Sequence, residues 1–347
     1  MAALLVVAAC GHGSENSSTH PADAPPRLVA AAPQSGAVLS LYDGYDAIGV
    51  HEVHVDRGWA SSYVKLDEPA DDLAVLDQNR WAIAHGQSGR VVWMQPGETP
   101  SVVVKLEPAP LRLAAGDLDH DGNVDVVVVS DGSRPSLHVV RGHAEGFHPP
   151  THVPLDPKGR QTPTLTLVDL DHEGTLDIVT GLATGDRDAP IPDHLRLFRN
   201  TTHGALVDES VVRVQAPEHV DAGDFDEDGL PDVLVTGREG AWLHLSAGFG
   251  WLDTPEKISR GEFSAGRLVD LDRDGHLDIV LLRRDRSVLE VHPGVGAGRE
   301  APVQRYDVGE GPISMAIVER DDERLVVTAN ADGKSFTTVR VARRPSR

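Results

Sequence analysis

At 347 residues, 40% hydrophobic and 25% charged, the chain is long enough for a substantial core but carries only 4% aromatic residues. Its formal net charge of -22 argues against nucleic acid or an anionic membrane surface as a general partner. A single cysteine, Cys10, rules out intrachain disulfides.

Taken in order, the chain opens with an apolar run, Met1 to Ala9, that ends in small residues before Cys10. Val7-Ala8-Ala9-Cys10 resembles a bacterial lipoprotein signal box, which implies lipidation of Cys10 and display on the cell envelope. No Lys or Arg precedes the run, so an apolar leader of no special chemistry stays open as the alternative. No other apolar stretch approaches the ~20 residues needed to span a bilayer. Residues 11–26 are rich in Ser, Thr, His, Asp and Pro and read as a disordered tether, which leaves 27–347 as one folded unit.

Short β-branched runs between Gly, Pro and Asp clusters follow, with little helical periodicity, so the fold is expected to be all-β. Leu28 to Leu41 and Ala82 to Trp93 share a strand, Gln-Ser-Gly turn, strand plan. His51-Glu52-Val53-His54 lacks the spacing of a helical zinc motif and reads as an exposed strand face. Then comes the stretch that organises the rest, Asp117-Leu118-Asp119-His120-Asp121-Gly122-Asn123-Val124-Asp125 followed by Val126 to Val129. Carboxylates stand at positions one, three, five and nine, with Gly at six to turn the backbone. So many carboxylates in one tight loop repel one another unless a hard cation sits among them, and an all-oxygen cage favours Ca²⁺.

The pattern recurs three times. Asp169, Asp171, Glu173 and Asp177 form the second copy, with Glu at position five. Asp224, Asp226, Asp228 and Asp232 form the third, and Asp270, Asp272, Asp274 and Asp278 the fourth. Their first aspartates stand 52, 55 and 46 residues apart, the spacing of propeller blades. Shortened turns at Asp77 and at Glu319 to Glu323 keep the strand pattern and are read as losing the metal. Six loop positions plus the strands before Asp77 give seven blades, with six as the runner-up. The first unit reads as short of its opening strand and the last of its closing one, so the two chain ends would have to meet to seal the ring. Residues 183–194 make the longest internal excursion, and 283–286 form a local basic turn, Arg-Arg-Asp-Arg.

With these loops placed between strands at this period, the chain resembles the FG-GAP/VCBS repeat family, which includes the propeller of integrin alpha chains and many bacterial surface proteins. The resemblance implies about four structural Ca²⁺ ions, one per loop. Their side-chain ligands would be Asp117, Asp119, Asp121 and Asp125; Asp169, Asp171, Glu173 and Asp177; Asp224, Asp226, Asp228 and Asp232; and Asp270, Asp272, Asp274 and Asp278. The seventh-position carbonyls of Asn123, Thr175, Leu230 and His276 would complete them. Glu173 departs from the pattern and puts the affinity of its loop in question.

No nucleophile elbow, zinc signature or acid/base pair stands outside the loops, and seventeen histidines scatter without a constellation. The five tryptophans, Trp59, Trp81, Trp93, Trp242 and Trp251, suit blade cores better than sugar stacking. The expectation is therefore a non-enzymatic, calcium-stabilised propeller on the bacterial envelope or secreted, binding a protein or carbohydrate. The alternatives are a carbohydrate-active enzyme of the polysaccharide lyase kind and a scaffold subunit of an envelope assembly.

Overall fold

The structure, a computed structural model, describes residues 17–341 apart from 23, 33–36, 43, 55–57, 77–79, 96–97, 99, 108, 131–134, 156–163, 184–192, 202–205, 249–250 and 321–322. The leader with Cys10, the start of the tether, the Asp77 turn and most of the 183–194 excursion lie outside the described residues.

Among the described residues the chain forms seven four-stranded antiparallel sheets and no helix. These are the blades of a seven-bladed β-propeller. Blade 1 is Pro26–Ala32, Ala37–Tyr42, Ala47–His54 and Gly58–Lys65, so the first unit has its opening strand after all. Blade 2 spans Asp72–Val75 to Ser101–Lys105, blade 3 Pro110–Gly116 to Thr151–Pro154 and blade 4 Thr164–Val168 to Leu206–Arg213. Blade 5 runs from Pro217–Gly223 to Glu256–Ser259 and blade 6 from Phe263–Val269 to Gln304–Asp307.

Blade 7 takes three strands from the C-terminal end, Pro312–Arg320, Glu323–Asn330 and Ser335–Arg340, and its outermost from the N-terminal end, Ser17–Pro21. Ser17 pairs with Val339 and Pro21 with Ser335, while Thr19 and Thr337 join hydroxyls at 3.0 Å. The tether expected over 11–26 is thus corrected: its residues 17–21 form a strand. Sequence favours disorder because Ser, Thr, His and Pro bury little apolar surface. The free edge of Ser335–Arg340 supplies backbone partners that outweigh that.

The second strand of each carboxylate-loop blade is buried along its whole length, as in Asp125–Ser130, Asp177–Leu182, Asp232–Gly237 and Asp278–Arg283. Both faces of such a strand meet other blades, which is why its sequence is a continuous apolar run rather than an alternation. Seven apolar clusters result, one at each interface between neighbouring blades. Leu39, Ile48, Ile83 and Val92 lie between blades 1 and 2, Leu137, Ile178 and Phe198 between blades 3 and 4, and Tyr42, Phe336 and Leu325 where blade 7 meets blade 1.

His51 is buried rather than exposed: its ring bonds the hydroxyls of Ser40 at 2.7 Å, Tyr42 at 3.2 Å and Ser61 at 2.9 Å. Trp59 and Trp81 fill cores, Trp93 and Trp242 are half-buried under Arg80 and Lys257, and Trp251 is 63% exposed. In the basic turn, Arg283 is taken up by Asp285 and Glu290, and Arg284 lies 3.7 Å from Glu218.

Candidate metal centres

Each carboxylate loop joins the first and second strands of its blade, so the four loops of blades 3 to 6 lie on one face of the disc. Local backbone geometry follows the sequence closely. The fourth residue of each loop is left-handed, with φ of 57° at His120 and His172, 63° at Glu227 and 60° at Arg273. The sixth is Gly122, Gly174, Gly229 or Gly275, at φ 84° to 94°. A side chain on any of these glycines would meet open space, so it is φ rather than crowding that requires glycine there.

The ninth-position aspartate holds each loop together. Asp125 accepts the Leu118 N–H at 2.9 Å and the Gly142 N–H at 2.7 Å. Asp177 does the same with Leu170 and Asn200, Asp232 with Phe225 and Ser246, and Asp278 with Leu271 and Gly294. One carboxylate thereby ties the start of the loop to the end of the third strand. The first-position aspartate closes the turn, accepting the N–H of the loop glycine at 2.9 to 3.1 Å.

Three of the four predicted carboxylates converge in every loop. Oxygens of Asp117, Asp119 and Asp125 lie within 4.8 Å of one another, as do those of Asp169, Asp171 and Asp177, of Asp224, Asp226 and Asp232, and of Asp270, Asp272 and Asp278. The fifth-position groups stand outside these sets. Asp121, Asp228 and Asp274 instead accept the backbone N–H two residues on, from Asn123, Leu230 and His276. Glu173 is exposed beside Arg199.

Several converging oxygens are buried without a hydrogen-bond partner: Asp117 Oδ1, Asp119 Oδ1, Asp169 Oδ1, Asp171 Oδ2 and Asp224 Oδ1. A buried carboxylate oxygen left bare costs free energy that a cation would recover. The titration behaviour agrees. Burial, then the neighbouring Asp171 and Asp169, push Asp177 up to about 7. Burial and Asp226 push Asp232 up to about 6, and burial raises Asp125 and Asp226. These loops penalise their own charge, and their oxygen-only donor set fits Ca²⁺.

Adjacent loops also touch. The His120 imidazole donates to the Gly174 carbonyl, and the His276 ring meets the Glu227 carboxylate. A further acidic group joins the neighbours Asp67 and Glu68, in the bend after Gly58–Lys65, to His85 at the end of the strand Trp81–His85, a separation in sequence that leaves no motif. Arg90 already bonds both carboxylates and Ser88 donates to Glu68 at 2.5 Å, so that cluster is an ion-pair network.

Comparison with known proteins places these observations. The FG-GAP-like repeat family matches residues 117–180 and 224–281. No curated protein matches the chain in sequence. Among solved structures, virginiamycin B lyase from Staphylococcus aureus is similar with TM-score 0.61 and 10% identity, over 94% of this chain and 99% of that one. A streptogramin B lyase is similar with TM-score 0.61 and 11% identity, over 94% and 98%. Sqt1 from Saccharomyces cerevisiae is similar with TM-score 0.58 and 10% identity, over 97% and 100%.

The expectation of a non-enzymatic protein is corrected by these neighbours, since two of the three are lyases built on this propeller. The physical reason is topological. A propeller gathers side chains from separate blades onto one face, so a site on it leaves no contiguous motif, and a missing elbow or zinc signature does not make the fold inert. At such identities the likeness carries the fold alone. The repeats, the seven sheets and the loop geometry agree: this chain is a seven-bladed β-propeller carrying FG-GAP-like repeats, which fits the integrin-alpha-like propeller expected from its sequence.

Proposed function

We propose that the protein is a calcium-stabilised propeller, displayed on the bacterial envelope or secreted, that recognises a protein or carbohydrate through its loop-bearing face. The observation that carries the calcium part is the set of four convergent carboxylate clusters, those of blades 3 to 5 with buried oxygens that accept no hydrogen bond. Asp117, Asp119 and Asp125, with their counterparts in the other three loops, would hold the ions. The fifth-position carboxylates would swing in from their backbone bonds. Bound Ca²⁺ supplies charge neutralisation, and at ~100 times Kd each site adds about 2.7 kcal/mol of stability.

Recognition by the same face is supported by Trp251. It sits in a hairpin closed by the Ala247 N–H to Trp251 carbonyl bond at 2.8 Å, and Asp232 anchors the hairpin base through Ser246. An exposed indole on a hairpin tied to a carboxylate loop is suited to stacking on a sugar or packing into a protein pocket. Envelope display rests on the lipoprotein-type box ending at Cys10. The test is a glycan and envelope-protein binding panel in Ca²⁺ and in EGTA. Calcium-dependent binding that Trp251→Ala abolishes without a loss of fold supports the reading, and binding indifferent to both contradicts it.

A further inference from the structure

The four loops differ at one position that lies outside every motif. In blade 3 Val126 pairs with Val140, which sets Asp125 opposite Arg141; in blade 4 Ile178 pairs with Phe198, which sets Asp177 opposite Arg199. The same register in blade 5, Val233 with His244, brings Leu245 to that place, and in blade 6, Ile279 with His292, brings Pro293. Two loops therefore face a permanent cation and two face an uncharged residue.

Both arginines reach the carboxylates. Arg141 Nη1 lies 3.0 Å from Asp125 Oδ2 and 3.7 Å from Asp119 Oδ2, and its Nη2 donates to Asn200 Oδ1 at 3.1 Å. Arg199 Nη1 lies 3.6 Å from Asp171 Oδ2 and 3.6 Å from Glu173. Asp171 Oδ2 is buried and accepts no hydrogen bond, so Arg199 is the positive charge that faces it. Arg324 also approaches a loop, that of blade 6, but it donates to the Asp270 backbone carbonyl and to Glu319. A guanidinium does not deprotonate in a protein, so it cannot yield to an incoming ion by losing its charge.

We propose that Arg141 and Arg199 divide the loops into two classes, with calcium tight in blades 5 and 6 and weaker in blades 3 and 4. This rests on the calcium reading above and adds an order of filling to it. In blades 3 and 4 the entering Ca²⁺ meets like charge within a few ångströms and must displace or share a carboxylate contact, which sets those loops at least ~10-fold weaker. The same guanidinium partly does the ion's work when calcium is scarce, holding the two loops together. At intermediate calcium the disc is then filled on one side only, next to Trp251.

Titration calorimetry of the full chain with Ca²⁺, after chelation, tests this. The expected isotherm has two tight sites and two at least ~10-fold weaker. Arg199→Leu should bring one weak site into the tight class, and Arg141→Leu with Arg199→Leu should bring both. Because Arg141 also bridges blades 3 and 4, the converse variant Leu245→Arg guards against a misfolded result: it should move one tight site to the weak class. Four equivalent wild-type sites, or affinities that ignore these substitutions, would overturn the proposal while leaving calcium binding intact. No bound calcium in any variant would overturn the calcium reading and this proposal together.

Discussion

Within a loop, the four carboxylates that look alike in sequence do different work. Asp232 accepts three backbone N–H groups, from Phe225, Asp226 and Ser246, so Asp232→Asn turns one acceptor into a donor and strands either the Ser246 N–H or those of Phe225 and Asp226. Equilibrium unfolding in EGTA should show a loss of about 1–3 kcal/mol. Asp228, exposed and bonded only locally, should behave oppositely: Asp228→Asn leaves stability in EGTA nearly unchanged but weakens calcium binding in calorimetry. Gly229→Ala has space for its methyl yet forces a left-handed alanine, costing about 1 kcal/mol in the same unfolding assay. His138 gives the pH dependence. Burial, then His152, hold it at about 4 against an ordinary 6.5. Its contribution is complete above about 6.5 and is lost as pH falls toward 4, because the unfolded chain takes up the proton first. Urea unfolding at pH 7 and pH 5 should differ by about 2 kcal/mol from this group, and His138→Gln should shrink the difference by that amount. The loop residues were legible because their spacing is local. Arg141 and Arg199 were not, since nothing in an isolated arginine announces which carboxylate a third strand will bring it to.

Strands were readable wherever burial is two-sided, as in Val126 to Val129 or Ile279 to Leu282, because an unbroken β-branched run has few other destinations. The N-terminal strand was not. Ser17–Pro21 has no apolar pattern of its own and exists because Ser335–Arg340 offers it a partner more than 300 residues away. That distance hides it from local reading, though the ring's need for closure pointed to a meeting of the ends. A chain starting at Pro26 should therefore lose the ladder to Ser335–Arg340 and the packing of buried His20 on Trp59. Its unfolding free energy should drop by about 3 kcal/mol or more, and the last strand should lose hydrogen-exchange protection. Unchanged stability would show that the seventh blade closes without its borrowed strand.

At the scale of the whole disc, seven apolar interfaces hold the blades and four acidic loops strain one face. The net charge of -22 and the buried oxygens that accept no hydrogen bond both support the proposal that divalent ions complete the fold. That account is tested most directly by thermal unfolding of the full chain in excess Ca²⁺ and in EGTA, with bound metal counted. It predicts a rise in Tm of roughly 10 °C or more with calcium, and about four ions per chain. An unchanged Tm with no metal bound would contradict it.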